Sequence, residues 1–461
     1  MIFFFVLFRP ADFDYLDDPS VFQENLEDAL GPDYPYFASI GNHDLDSWTE
    51  YQANLVARLK RFGGDKNCTG DYGVNMACRW NGIYFVLSGA GTRGSNHANF
   101  IDSTFTGATD IWKFVSWHKN QRLMQIGGKS DETGWAVYDT TREHGAIIAT
   151  GHEHSYCRSY TMSDIEEQDI VSTNSTLNLK VGETFVFVSG LGGKDIRTWE
   201  TALESNPWWA ATGASNNGIS DGALLCTFNV DGDARKASCT FRDRLGKTWD
   251  SFDIISQLPS TQEELAEQLA AAKSKTAAKC RSRWIEVPVT RANSDAQERL
   301  TGELDCAGKI AHLGKAKATA IHFDNVPLQK GDVIEEAFLQ VYSANDASES
   351  THRYVISGSG NKGGRFSCKR RAGLRQLSAP ERKLTSSSVV WEHEDEGWEK
   401  HTVWVTPNIS EVVSEIINDE EWAPENGITL NLAGSGDGSF YTYDRSPCHA
   451  PTLALKIKAV C

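Results

Sequence analysis

The feature that most restricts the fold is a rhythm repeated through residues 1–257, a short apolar run followed by a loop of Gly, Asn, His or Asp. The runs are Met1–Phe8, Tyr34–Ile40, Ile83–Ser88, Trp112–Trp117, Ala146–Thr150 and Phe185–Ser189. The loops after them read ADFDY, GNHD, GAGTRG, HKNQ, GHEH and GLGG. Helical stretches lie between. Thr49–Phe62 places Tyr51, Leu55 and Leu59 on one face, and Asp131–His144 carries Trp135 and Tyr138 and ends at Gly145, a natural helix stop. Strands alternating with helices predict an α/β layered domain with its chemistry gathered at the carboxyl ends of the strands.

The pattern changes after residue 257. Ser260–Lys279 is rich in Ala, Glu, Gln and Lys, and Ser260 with Glu263 fits a capping box, which predicts a linking helix. Beyond it come short alternating runs, namely Arg283–Val289, Ala320–Phe323, Ala337–Tyr342, Thr402–Val405, Gly427–Leu432 and Thr452–Ile457. Turn-forming GSGNKGG and GSGDGS separate some of them, and one amphipathic helix, Ile409–Asn418, interrupts the series. That spacing predicts an all-β sandwich. The expected organisation is a domain over 1–257, a helical linker over 258–280 and a sandwich over 281–461.

Charge narrows the function. With Lys plus Arg at 45 and Asp plus Glu at 62, the net charge is −17, which repels nucleic acid and anionic membranes. A site that handles phosphate must then make its own local positive charge. The apolar opening Met1–Phe8 is too short to span a bilayer, which takes about 20 residues, and no transmembrane segment is expected. It also lacks the basic leader of a signal peptide and reads as a buried strand. The ten cysteines are scattered without a CxxC pair, so disulfides are favoured over zinc. Cys68/Cys78 and Cys226/Cys239 are close enough to close local loops, and no other pairing is expected. The cysteine usage agrees with a secreted protein; sequons at Asn67, Asn174 and Asn408 would make it a glycoprotein, although a chain of this length carries about that many by chance.

Four loops hold side chains suited to divalent metals. Asp12 and Asp14 follow the first run, Asn42, His43 and Asp44 the second, and His118 a later one; His152 and His154 flank Glu153. Imidazole, carboxylate and amide oxygen together suit zinc, iron or manganese. Glycines before two clusters, Gly41 and Gly151, let the backbone approach a ligand closely. GAGT (89–92) and GLGG (190–193) lack the context of a phosphate loop and read as chain reversals.

These blocks in this order, with FVSWH at 114–118, resemble the calcineurin-like metallophosphoesterases. ADFDY is similar to the GDxxY block of purple acid phosphatases, with Ala11 in place of glycine. The resemblance implies a four-layer αββα sandwich, and a jelly-roll-like module follows it. It implies two divalent or trivalent ions bridged by Asp12. Asn42, His118 and His152 would complete one ion, and His154 the other. Tyr15 is a candidate ligand to the second ion or an aromatic packed under its loop. His43 would assist at the phosphoryl group and Asp44 would orient it. The reaction implied is phosphate-ester hydrolysis by metal-activated hydroxide, with a phosphomonoester favoured. Asp14 reads as a loop brace and His97 as a surface residue.

The family's opening Asp-x-His or Asp-x-Gly strand has no counterpart here, and the expectation is an N-terminally incomplete version of a longer protein. The alternative is an impaired metal- or glycan-binding secreted protein. In the sandwich, Asp295, Glu298 and Asp305 are a candidate set for a structural calcium. Trp391 and Trp398 read as core residues before sugar-stacking ones, and carbohydrate contact is the partner considered for this module.

Overall fold

A computed structural model describes residues 7–10, 12–279, 282–301, 303–347, 352–359, 366, 377, 384–393, 398 and 400–458. Met1–Val6, Ala11, most of GSGNKGG and part of the segment between Trp391 and Trp398 lie outside the described residues. The chain divides into two compact units, 1–93 with 97–276, and 277–461 with 94–96.

The first unit is mixed α/β. Its largest sheet runs in the order Trp209–Gly213, Tyr156–Ser159, Val186–Ser189, Ile147–Thr150, Lys113–Ser116, Ile83–Ser88, Asn75–Trp80, Cys68–Asp71. A second sheet orders Thr176–Leu179, Thr248–Ser256, Lys236–Asp243 and Gly222–Phe228, and Leu7–Pro10 pairs in parallel with Tyr36–Ser39. Phe8 packs edge-on to Phe85 and stacks near Phe37 and Phe114, so the first strand is anchored by aromatic burial. Ile83–Ser88, Lys113–Ser116, Ile147–Thr150 and Val186–Ser189 run in parallel, each beside the next. Their carboxyl ends therefore open on the same edge.

The expected helix at 49–62 spans Trp48–Arg61 and buries Tyr51, Leu55 and Leu59. The one expected at 131–144 is shorter, Ala136–Glu143, because Asp131 turns the chain by accepting from the N–H groups of Thr133 and Gly134. Pro19–Leu30, which apolar patterning did not single out, starts where the Asp18 side chain caps Ser20 and Val21, the usual N-cap device. The helix Gln262–Lys279 begins one residue later than the expected box implies. Thr261 caps Glu264 N–H, and the Glu264 carboxylate reaches back to Ser260. Leu265 on this helix packs with Val181 and Leu258 of the first unit.

Both expected disulfides form, and in each the half-cystines face one another across a hairpin. Cys306 is disulfide-bonded as well, which corrects the expectation of two bonds only. Cys157 is a buried free thiol.

The second unit is an antiparallel β structure. Four strands order as Arg283–Pro288, Thr452–Ile457, Ile334–Tyr342, Val403–Val405. Six order as Leu304–Asp305, Asp295–Glu298, Ala318–Phe323, Ile428–Ser435, His352–Ser359, Leu384–His393. The helix Ser410–Asn418 buries Val412, Val413, Ile416 and Ile417. Trp391 and Trp398 sit in this core, each 1% exposed, so neither presents a face to a sugar. Two members of the acidic trio have basic partners. Glu298 pairs with Lys317 and Asp305 with Arg299, each at 3.0 Å, while Asp295 has a buried oxygen without a hydrogen bond and feels the charge of Asp444.

Candidate metal centre

The loops leaving the parallel strands of the first unit bring the expected residues together. Asp12 follows Leu7–Pro10, and Asn42–Asp44 form a single turn after Tyr36–Ser39. His118 follows Lys113–Ser116, and His152 and His154 follow Ile147–Thr150. His152 adopts a positive φ of 62°, uncommon for a non-glycine residue and characteristic of functional sites. A Cβ on Gly41 would lie 2.1 Å from Asp12 Oδ1, so glycine is what lets these two loops touch.

His118 Nε2 is the centre of the cluster. It lies 3.0 Å from Asn42 Oδ1, 3.0 Å from His152 Nδ1 and 3.3 Å from Asp12 Oδ1. His118 Nδ1 is 2.9 Å from the Pro10 carbonyl. A carbonyl only accepts, so that nitrogen carries the proton and a neutral His118 turns a bare Nε2 inward. Carboxylate, amide oxygen and ring nitrogen then face one another, an arrangement that only a cation or an added proton relieves. Neighbouring ligands about 2.1 Å from one ion are about 3.0–3.4 Å apart, which matches these separations. The residues present fit an ion at this end. Among the described residues, no three His, Cys, Asp or Glu side chains are arranged around a ready-made ion site.

The other end is sparser. His154 Nδ1 donates to the Asp195 carbonyl at 2.8 Å, which leaves Nε2 facing the Tyr15 hydroxyl at 3.1 Å. Tyr15 also donates to Asp12 Oδ2, at 3.4 Å. Tyr15 is not packed under its loop: it is 38% exposed, and its ring meets His43 with centroids 4.4 Å apart. His43 is exposed, and its backbone N–H donates to Asp12 Oδ1 at 3.0 Å.

Electrostatics divide the roles. Burial alone would raise the Asp12 carboxyl, but the His118 imidazole and the His43 N–H hold it far below the usual range. Burial pushes His152 down to about 3 and lowers His43 and His154. His118 goes the other way: burial would lower it, but the Asp12 charge and hydrogen bond outweigh burial and raise it. Neutral imidazoles are the form that ligates. Burial and the Asp12 charge raise the Tyr15 phenol.

Asp44 is fully buried and accepts from the N–H groups of Phe13 and Gly41, each at 2.7 Å. Its hold on His43 runs through the loop backbone, not through the ring as the sequence suggested. Burial and Asp12 push Asp44 up to about 7. Asp14 braces its loop as expected, accepting from Leu16 N–H and Tyr51 OH. His97 is not a surface residue; it is buried and bonded to Ser88 and Asn75.

Sequence reading missed the polar frame around the cluster. Glu132 Oε2 lies 2.8 Å from His152 Nε2, and Lys119 Nζ lies 2.6 Å from Glu132 Oε1. Lys194 stands 4.2 Å over the Tyr15 ring, and Arg197 pairs with Glu153 at 3.5 Å. These residues lie on irregular segments without periodicity, and no motif marks them.

No protein-family model and no curated protein matches the chain. Among solved structures, a purple acid phosphatase, PPD1, from yellow lupin (Lupinus luteus) seeds superposes with a TM-score of 0.40 at 15% identity. The match covers 54% of this chain and 45% of that one, so the chain spans less than half the length of the phosphatase. The case for chemistry rests on the side chains.

Proposed function

We propose that the first unit is a metal-dependent phosphoesterase, with a phosphomonoester as the favoured substrate. The observation that carries this reading is the convergence of Asp12, Asn42 and His152 on the bare Nε2 of His118. Asp12, Asn42, His118 and His152 would hold one zinc, iron or manganese ion, and Asp12, His154 and Tyr15 a second. Ions in those places supply Lewis acidity and acidify bound water.

The chain's own residues do the rest. His43 is exposed beside Asp12, where its imidazole can stabilise charge on a phosphoryl oxygen or give a proton to the leaving oxygen. Lys129 and Lys194 add positive charge near His43, local attraction for an anion in a chain of net charge −17. Asp44 locks the loop that carries Asn42 and His43. Disulfides in the first unit agree with secretion into an oxidising compartment. The test is hydrolysis of an aryl phosphate by the parent and by His43→Ala and His152→Ala. Loss in both variants supports the assignment; turnover equal to the parent's overturns it.

A further inference from the structure

Each imidazole of the cluster needs one nitrogen fixed so that the other stays bare. For His118 the Pro10 carbonyl does this, and for His154 the Asp195 carbonyl. His152 has a carboxylate in that place, Glu132, 2.8 Å from Nε2. We propose that Glu132, anchored by Lys119, is the positioning residue that sets the tautomer of His152 and so the affinity of the adjoining metal site.

The geometry carries the proposal. His152 Nδ1 points at His118 Nε2, 3.0 Å away and inside the converging donors, so it must be bare to ligate. The proton then belongs on Nε2, beside Glu132. Glu132 Oε1 is held by Lys119 Nζ, at 2.6 Å. Lys119 is 2% exposed and Glu132 9%. A buried carboxylate and ammonium are kept only as a pair, and this pair sits directly behind a ligand. The Nε2–Oε2 contact is short, 2.8 Å, although neither atom completes an aligned hydrogen bond. A carboxylate accepting from a ligating histidine raises that ligand's basicity more than a carbonyl does.

The inference rests on the metal-site reading, and its test separates the two. Nitrogen-15 NMR of the metal-free full-length chain reads the His152 tautomer directly. Zinc and manganese titrations of the same chain read affinity. The parent is expected to carry the His152 proton on Nε2. Glu132→Gln, which keeps an acceptor without the charge, should weaken the tighter site about 10-fold. The double variant K119M/E132A, which leaves no unpaired buried charge, should approach 100-fold and let the proton move to Nδ1. Glu132→Asp should recover part of the loss. An unchanged tautomer and unchanged affinity in K119M/E132A overturn the role of Glu132. A parent that takes up neither metal overturns the metal site, while the tautomer comparison still decides whether Glu132 holds the ring.

Discussion

Two buried aspartates, one in each unit, meet opposite electrostatic fates. Asp12 is 6% exposed and Asp295 3%. Around Asp12 stand the His118 imidazole and the N–H of His43, and its carboxylate stays ionised. Beside Asp295 the charges are those of Asp444 and Asp305, and burial with that repulsion pushes it up to about 7. Burial penalises a charge, and what surrounds the charge decides whether the group keeps it or takes up a proton. At Asp12 that compensation comes from the charge His118 takes up beside it, a role a bound cation would fill on the proposed reading. The acidic trio of the second unit lacks that logic, since Lys317 and Arg299 already neutralise two of its members.

The largest effect that could break this contrast comes from the centre of the cluster. His118→Ala and His152→Ala should each lower metal affinity and phosphate-ester hydrolysis by more than the ~100-fold typical of outer partners, while Asp295→Asn leaves both at the parent's level. Next in size is Gly41→Ala. Its Cβ would collide with Asp12 Oδ1 and the Asp12 backbone, and overpacking of this kind costs about 1–3 kcal/mol. Denaturant unfolding should show that loss, with weakened metal uptake at both ends if Asp12 joins the two ions as proposed.

The third prediction concerns pH. Asp295 binds its proton more tightly in the folded chain than in the unfolded one, so folding takes up a proton between about pH 4 and 7, and stability falls as pH rises through that window. Asp295→Asn should flatten the slope by at most about 1.4 kcal/mol per pH unit and raise the melting temperature at pH 7.5. An unchanged slope would mean that Asp295 is ionised like Asp12. The smallest effect is expected at the sparse end. Tyr15→Phe keeps the ring contact with His43 and removes only the hydroxyl; a loss of less than about 10-fold in affinity for the weaker ion should result, with the tighter one unchanged.

Much of the fold was legible because apolar runs ending in Gly, Asn or His mark strand-to-loop junctions. GNHD and GHEH each sit at such an end, and their residues arrive in one place. The Trp391 and Trp398 pair was legible as core for a related reason, their place among alternating strands. What escaped is instructive. Lys119, Glu132, Lys194 and Arg197 reach the site from irregular backbone, where no period of 2 or 3.6 reports direction. His97 was misplaced because its partners, Ser88 and Asn75, come from strands whose pairing the local sequence does not reveal. Asp44 was assigned to the ring beside it, whereas short-range geometry let its carboxylate reach the N–H groups of Gly41 and Phe13 first.

The most direct test of the central claim is a calorimetric titration of the chelator-stripped chain with zinc, run beside His118→Ala and His154→Ala. Four donors at one end and three at the other give a clear expectation: two unequal binding steps in the parent, the tighter lost in His118→Ala and retained in His154→Ala. A parent that binds no zinc, or a His118→Ala chain that binds it as tightly as the parent, would contradict the account.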